Sequence, residues 1–364
     1  MRVLVTGAAG MIGRKLTARL FREGEVAGAA ITTLDLHDIM APEAPQRPGI
    51  SVRCLRGDLA AAGAAEALVA SRPDVIFHLA GVVSGEAEAN FDLGYRVNLD
   101  GTRALFEAIR LAAHRPRVVF ASSIAVFGAP FPEIIPDDFH STPLTSYGTQ
   151  KLMVELLLAD YTRRGFFDGI GLRLPTICVR PGKPNKAASS FFSGIIREPL
   201  SGQEALLPVP RSVVHTHASP RSAVDFLIRA AGLDGAIVGP RRNLTMPGVA
   251  VSVGEQIEAL RRVAGAEAAK LIRDVPDETV WAIVRNWPAR FEASLAHELG
   301  FVAEDTFDDI IRAHIEDELG PRPDPPISGL EATSEFRAQA AGLCCKSLAR
   351  GTVNSVRRPP PGRF

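Results

Sequence analysis

The chain has 364 residues, 46 % of them hydrophobic, with 41 lysines plus arginines balanced by 41 aspartates plus glutamates. That length allows one large domain or two of moderate size, and the apolar fraction suits a globular enzyme with a substantial core. Balanced charge gives no net field to recruit nucleic acid or an anionic membrane, and no apolar run approaches the roughly 18 residues of a membrane span.

From the N-terminus, Val3 to Val5 are continuously apolar, as expected of a parallel strand covered on both faces. Ile12, Leu16 and Leu20 then recur at helical spacing, so the glycines of Thr6-Gly7-Ala8-Ala9-Gly10-Met11-Ile12-Gly13 fall at a strand-to-helix turn. A side chain at Gly7 or Gly10 would hold the backbone away from a pyrophosphate. Gly13 lets helix and strand approach, and the helix N-terminus offers free N–H groups to phosphates. The pattern predicts a bound dinucleotide, with Met11 and Ile12 beside it.

Asp35 follows the next apolar stretch, in Ile31-Thr32-Thr33-Leu34-Asp35-Leu36, and falls 22 residues after Gly13 (35 − 13), close to where an acid is expected to meet the adenosine ribose. A carboxylate there repels a 2′-phosphate, so NAD is expected rather than NADP. Asp38 reads as a solvated loop acid. A third candidate strand, Val52 to Leu55, leads to Arg56-Gly57-Asp58-Leu59; Asp58 faces the adenine or serves as a turn aspartate, and Leu59 is placed along the cofactor with it.

Further strands are predicted over 74–79 and 117–121, with a helical stretch over about 90–113 between them carrying Val97, Leu105 and Ile109. Helix 147–164 places Leu152, Leu156 and Leu157 on its apolar side, and 169–174 reads as another strand. Alternating strands and helices imply an α/β, Rossmann-type doubly wound parallel sheet with its ligand at the strands' carboxyl ends. In Tyr147-Gly148-Thr149-Gln150-Lys151 the tyrosine and lysine stand one helical turn apart. An ammonium so close is expected to pull the phenol toward neutrality, making a base that removes a proton from an alcohol beside a hydride acceptor.

After Leu174 the alternation gives way to prolines, glycines and short mixed segments. The expected organisation is an NAD-binding domain over 1–174 and a smaller C-terminal substrate-binding domain over 175–320, part of which returns to the sheet. Residues 321–364 hold seven basic residues and three acids among many prolines and read as a disordered tail. Cys54, Cys178, Cys344 and Cys345 have no metal-ligand spacing and read as reduced thiols of a cytoplasmic protein.

Taken with His78-Leu79-Ala80-Gly81, Asn98, Ser122-Ser123-Ile124-Ala125-Val126-Phe127-Gly128 and the Tyr147/Lys151 pair, the opening glycine motif resembles the extended short-chain dehydrogenase/reductase family over residues 1–320. The resemblance implies Tyr147, Lys151, Ser123 and Asn98 as catalytic residues, Asn98 completing a proton relay through water. Ala80, Asn98 and Ser122 join the cofactor site, and Ser123 and Tyr147 hold the reacting hydroxyl between them. It also implies a homodimer built on helices 90–113 and 147–164. His78 reads as a satisfied buried histidine. The segments 82–88, 173–186 and 215–221 are similar to a branch of the family that oxidises the 2-hydroxyl of a four-carbon sugar acid to the 2-oxo acid, chiefly with NAD. Family members acting on nucleotide sugars usually carry an aromatic and an asparagine where this chain has Pro175-Thr176, which favours a small acid.

Arg180, Lys183, Lys186 and Arg221 are the cations placed to meet such a carboxylate, with Ser84, Asn185, Lys186 and His217 as further polar contacts. Two rival readings remain at this stage. One is a nucleotide-sugar epimerase or dehydratase that recycles bound NAD; the other is a redox-silent NAD-binding sensor.

Overall fold

Seven parallel strands form the central sheet of the computed structural model, which describes residues 1–43, 48–182 and 189–320. They are β1 (Arg2–Thr6), β2 (Thr33–Asp38), β3 (Ser51–Arg56), β4 (Val75–His78), β5 (Arg117–Ser123), β6 (Asp168–Leu174) and β7 (Asn243–Thr245). Their order is β7-β6-β5-β4-β1-β2-β3, so the chain reverses direction across the sheet between β1 and β4. A crevice opens there at the strands' carboxyl ends, the place where a ligand binds in such a sheet. In register, Thr6 lies opposite both His37 of β2 and His78 of β4.

Side chains alternate across each strand and feed two cores. Val3, Val5, Leu34, Leu36 and Val119 pack on one face under α1 (Met11–Glu23) and the helix Pro220–Gly232, through Leu16, Leu20, Phe226 and Leu227. Leu4, Ile76, Val118 and Phe120 pack on the other, under α2 (Thr102–Leu111) and α3 (Ser146–Arg163), through Leu105, Ile109, Val154 and Leu158. Each such fully buried side chain is worth about 1.5–3 kcal/mol. Helix α1 stops at Gly24, whose left-handed φ of 73° lets its N–H reach the Leu20 carbonyl.

Residues 1–320 form one compact unit. Within it, a third core gathers Phe192, Ile195, Leu207, Val253, Leu260 and Ile310 beneath three short helices and two small sheets. One of these sheets joins Val249–Ser252, Val214–Ala218 and Thr176–Ile177. The stretch after Leu174 is therefore interrupted, since Pro220–Gly232 and β7 go back to the large sheet. No helix among the described residues is long and apolar enough to cross a membrane. The expected disordered tail, 321–364, lies outside the described residues.

Two expectations need correction. Strand β2 runs to Asp38 and so encloses Asp35 instead of ending before it. The single helix over 90–113 is broken into Phe91–Gly94, a π-helical turn Tyr95–Gly101, and α2. Such turns concentrate at functional positions, and this one carries Asn98.

Candidate active site

Helix α3 organises the site from its first turn. Thr145 caps it, its hydroxyl accepting the Gly148 N–H at 3.0 Å, which places Tyr147 at the helix's positive end. Residues spaced by four along one helical face then meet the last three residues of β5. Tyr147 hydrogen-bonds the Ser123 hydroxyl. Lys151 Nζ donates to the Ala121 carbonyl at 2.9 Å, and the Ser122 hydroxyl donates to Glu155 Oε1 at 2.5 Å. Ser123 Oγ also accepts the Ala125 N–H at 3.1 Å, which fixes its direction.

The electrostatics differ from the sequence expectation. Burial pushes the Tyr147 phenol up to about 12, with the Ser123 hydrogen bond pulling against it. Burial likewise lowers the Lys151 ammonium to about 8, against the upward pull of Glu155. Lys151 Nζ lies 5.6 Å from the Tyr147 ring centroid and 4.8 Å from that of Phe120. Half-buried Tyr147 and buried Lys151 each lose hydration in the charged form, so proximity alone does not bring the phenol to neutrality.

Asn98 is buried and clamps the loop after β4 to α3. Its Oδ1 accepts the Val82 N–H at 2.9 Å and its Nδ2 donates to Gln150 Oε1 at 2.7 Å. Gly81 lies between Asn98 and the lysine: a Cβ there would come 2.8 Å from Asn98 Oδ1 and 3.7 Å from Lys151 Nζ. The side chain predicted to relay protons is thus occupied with holding backbone. Ser84 opens the next short helix, whose Glu88 accepts the Ser146 N–H at 2.5 Å, so it comes near the first turn of α3.

The glycine loop fits a pyrophosphate. Helix α1 has no side-chain cap, and its first N–H groups have no acceptors within the helix. Gly7 has φ +76°, and a Cβ on it would run into the Leu79–Ala80 backbone at 2.7 Å, so its requirement is packing against β4 more than access for a ligand. At Gly13 a Cβ would overlap the Gly7 carbonyl, the close helix–loop approach that was expected. A Cβ on Gly10 would near only the Gly7 oxygen, at 3.2 Å, which leaves its outer side to a ligand. Met11 and Ile12 remain half-exposed in the first turn, and the Ala80 N–H points to Thr6 Oγ1 at 3.4 Å.

Asp35 is not at this loop. It is buried inside β2, held by the Arg53 guanidinium (Nε to Oδ1, 2.6 Å) and by the Ser71 hydroxyl at 2.9 Å. Asp38, read earlier as a loop acid, stands at the carboxyl end of β2 and accepts the Ala9 N–H at 2.9 Å and the Met40 N–H at 3.0 Å. Asp58 combines a turn contact, accepting the Ala60 N–H at 2.9 Å, with an ion pair to Arg96, while Leu59 belongs to the core. Ser122, expected at the cofactor, is buried with its hydroxyl committed to Glu155.

His78 is a structural link. The Thr102 hydroxyl donates to the Asn98 carbonyl at 2.8 Å, so His78 Nε2 donates to Thr102 and Nδ1 accepts from Thr6, at 2.8 and 2.7 Å. Burial lowers its pKa to about 3 and keeps it neutral.

On the far side, Thr176 lies two residues past Leu174, the partner of Ser123 in register. Its hydroxyl meets buried His215 Nε2 at 2.7 Å, while the single ring proton of His215 goes to the Pro288 carbonyl. His217 is buried against Gln256 at 2.7 Å, and Arg221 is paired with Glu316 and Asp317, so neither is turned to a substrate. Arg180 is half-buried with Arg14 and Arg197 as like-charged neighbours, which together with burial lower its pKa. Lys183, Asn185 and Lys186 lie outside the described residues.

Residue reasoning missed Asp38, Thr145 and Glu155. Thr145 stands three residues before Gly148 as a capping threonine, and Glu155 continues the four-residue spacing of Tyr147 and Lys151.

Residues 3–222 match the NAD dependent epimerase/dehydratase family. The chain is 47 % identical to a D-erythronate dehydrogenase of Cupriavidus necator, covering 87 % of this chain and 98 % of that one. It is 40 % identical to the enzyme of the same name from Haemophilus influenzae, covering 87 % and 99 %. Among solved structures, one described as a nucleoside-diphosphate-sugar epimerase from Agrobacterium tumefaciens is 62 % identical, with a TM-score of 0.86 over 88 % of this chain and 95 % of that one. An L-threonine dehydrogenase from Clostridium difficile, 21 % identical over 88 % of this chain and 98 % of that one, has a TM-score of 0.76 and shares the fold.

Proposed function

The chain belongs to the NAD dependent epimerase/dehydratase family, and from that premise we propose that it is an NAD-dependent dehydrogenase oxidising the 2-hydroxyl of D-erythronate to the 2-oxo acid. The observation that carries this reading is the Tyr147–Ser123 pair above buried Lys151, in a chain aligned with two D-erythronate dehydrogenases over nearly their whole length.

When bound, oxidised NAD supplies the hydride acceptor and a positive charge beside the phenol. The protein does the rest. Tyr147 acts in its ionised form, its own proton having gone to solvent; the helix end, the Lys151 charge and the positive charge that bound NAD would add favour that form, and the phenolate oxygen takes the hydroxyl proton. Ser123, held by the Ala125 N–H, orients the substrate oxygen and stabilises its developing charge. Lys151 also meets the nicotinamide ribose hydroxyls, and Asn98 keeps the Gly81–Ser84 loop against α3. At the other end, the α1 N-terminus and Gly10 receive the pyrophosphate, and Asp38 meets the adenosine ribose. That acid disfavours a 2′-phosphate, hence NAD over NADP.

Thr176 supports a polyol acid over a nucleotide sugar. Because His215 gives its own proton to Pro288, the Thr176 hydroxyl donates to His215 and keeps only acceptor capacity. It therefore suits a substrate hydroxyl and disfavours a diphosphate. Residues 175–320, apart from the segments that return to the sheet, supply this substrate lobe. We place the enzyme in the cytoplasm, as a dimer across α2 and α3, where Leu111 and Leu156 are exposed; sedimentation tests the assembly.

The description of the 62 % identical structure favours a second reading, an epimerase that recycles NAD. One experiment separates the two: NADH formation is followed with D-erythronate, other four-carbon sugar acids, 3-hydroxy acids and UDP-sugars. NADH in proportion to product from D-erythronate is expected. Turnover of a UDP-sugar alone, without net NADH, overturns the assignment.

A further inference from the structure

We propose that Glu155 is a positioning residue of the catalytic helix: held by Arg173 and Ser122, its carboxylate sets α3 on the end of β5 and places a negative charge one helical turn from Lys151. The proposal rests on the reading of Tyr147 and Lys151 as the reacting pair.

Glu155 is among the most buried carboxylates of the described residues, 1 % exposed. Its oxygens are all spoken for. Arg173 donates from Nε at 3.1 Å and from its terminal nitrogen at 2.7 Å, and Ser122 donates at 2.5 Å. Fork-shaped pairing of this kind fixes direction as well as charge. Arg173 is itself anchored, with its guanidinium 5.0 Å from the Phe127 ring centroid. Ser122 and Arg173 are register partners on β5 and β6, so the carboxylate ties α3 to two adjacent strands at one point.

That point lies one turn beyond Lys151 and two beyond Tyr147. With Glu155 fixed to Ser122, Lys151 reaches Ala121 and Tyr147 reaches Ser123. A buried ion pair is weak evidence for stability, and a structural strut here needs no charge next to a lysine. The charge matters because the other contacts of Lys151, the Ala121 carbonyl and the Phe120 face, hold its ammonium by a neutral acceptor and a ring and bring no opposite charge. Tyr147 on its own helix is a neutral phenol and His78 on β4 a neutral imidazole. Phe120 and the Ala121 carbonyl on β5 complete the surroundings, and Arg173 on β6 is a like charge. Among the described residues, Glu155 is the carboxylate whose charge pulls the lysine upward.

The lysine's own titration tests this without substrate. Competitive acylation of Lys151 across pH, read by peptide mass spectrometry on the full chain, gives its midpoint. In Glu155→Gln the amide keeps the volume and an acceptor for Ser122 but removes the charge, so the midpoint should fall by about one pH unit or more. In Arg173→Gln the carboxylate loses its counter-charge, so the midpoint should rise. The alkaline limb of the kcat/KM profile should move in the same two directions. A lysine midpoint unchanged in both variants, or shifted the same way in both, overturns the proposal, and one folded variant suffices to decide its sign. Loss of activity on D-erythronate in the unmutated chain would instead count against the substrate assignment, leaving the lysine titration to be judged by itself.

Discussion

Asp38 accepts the Ala9 N–H at 2.9 Å, which locks the carboxyl end of β2 to the glycine loop and sets a carboxylate beside the entrance of α1. Asp35, three residues earlier, faces Arg53 and Ser71 inside the protein. Their substitutions should therefore separate. Asp38→Ala should lower the kcat/KM preference for NAD over NADP by about tenfold or more, roughly 1.4 kcal/mol. Asp35→Ala should leave that ratio alone and cost about 0.5–1.5 kcal/mol of stability, because it removes the hydrogen bonds from Arg53 and Ser71, donors that can still turn to water. Denaturant unfolding and paired cofactor kinetics check both, and an altered preference in Asp35→Ala would return the ribose to that residue.

Tyr147→Phe keeps the ring and its packing and removes only the oxygen shared with Ser123. Turnover should drop by about 10²–10⁴-fold, while NADH binding, followed by its fluorescence, stays close to that of the unmutated chain. Lys151→Met should damage both quantities, since the ammonium serves ribose and phenol together. A Tyr147→Phe variant retaining most of its kcat would remove the phenol from the proposed mechanism.

Much of this was legible in the residues because it rests on local rules. Val3 to Val5, the glycines and the Leu16/Leu20 spacing specify a strand, a turn and a helix without help from the rest of the chain, and the structure forms them there. Tyr147 and Lys151 needed only helical spacing to share a face. What escaped depends on partners distant in sequence. Strand β2 extends to Asp38 because Thr6 lies opposite His37 in the sheet, so a polar residue is buried where a loop was expected. Asn98 interrupts a periodic helix because Val82 and Gln150 hold its amide. The phenol's acidity could not be read from its spacing to a lysine, since burial acts on both groups and is set by the whole pocket.

Thr176 offers a test of substrate choice. Thr176→Val is close in shape and removes the acceptor, so KM for D-erythronate should rise about tenfold or more with KM for NAD unchanged, the usual consequence of deleting a group built to meet a hydroxyl. Thr176→Ser keeps the oxygen and should restore most of the loss. Equal kinetics in the valine variant would show that this hydroxyl faces His215 alone.

Five histidines are buried among the described residues, and burial lowers the pKa of each, which makes stability depend on mildly acid pH; three of them are shifted furthest. Burial lowers His78 to about 3, His215 to about 4, and His217 well below the ordinary 6.5. Each is neutral in the folded chain and protonated in the unfolded one throughout the interval from about 6.5 down to about 4. The unfolded state therefore binds more protons in that window, and stability must fall as pH falls through it. With three such groups fully engaged the slope approaches about 4 kcal/mol per pH unit near pH 5, since each bound proton contributes about 1.36 kcal/mol per unit. The carboxylates held low by their arginine partners, such as Asp58 and Asp274, add to the loss only at lower pH, near their ordinary range. Unfolding followed between pH 7.5 and 5 should show midpoints dropping steeply below about 6.5. Calorimetry at pH 5 in buffers of different ionisation enthalpy should find about three protons or more taken up on unfolding, His37 and His314 adding to the three. A flat stability profile across that range, with no proton uptake, would mean that these imidazoles are charged within the fold, and the hydrogen-bond directions assigned to His78 and His215 would have to be reversed.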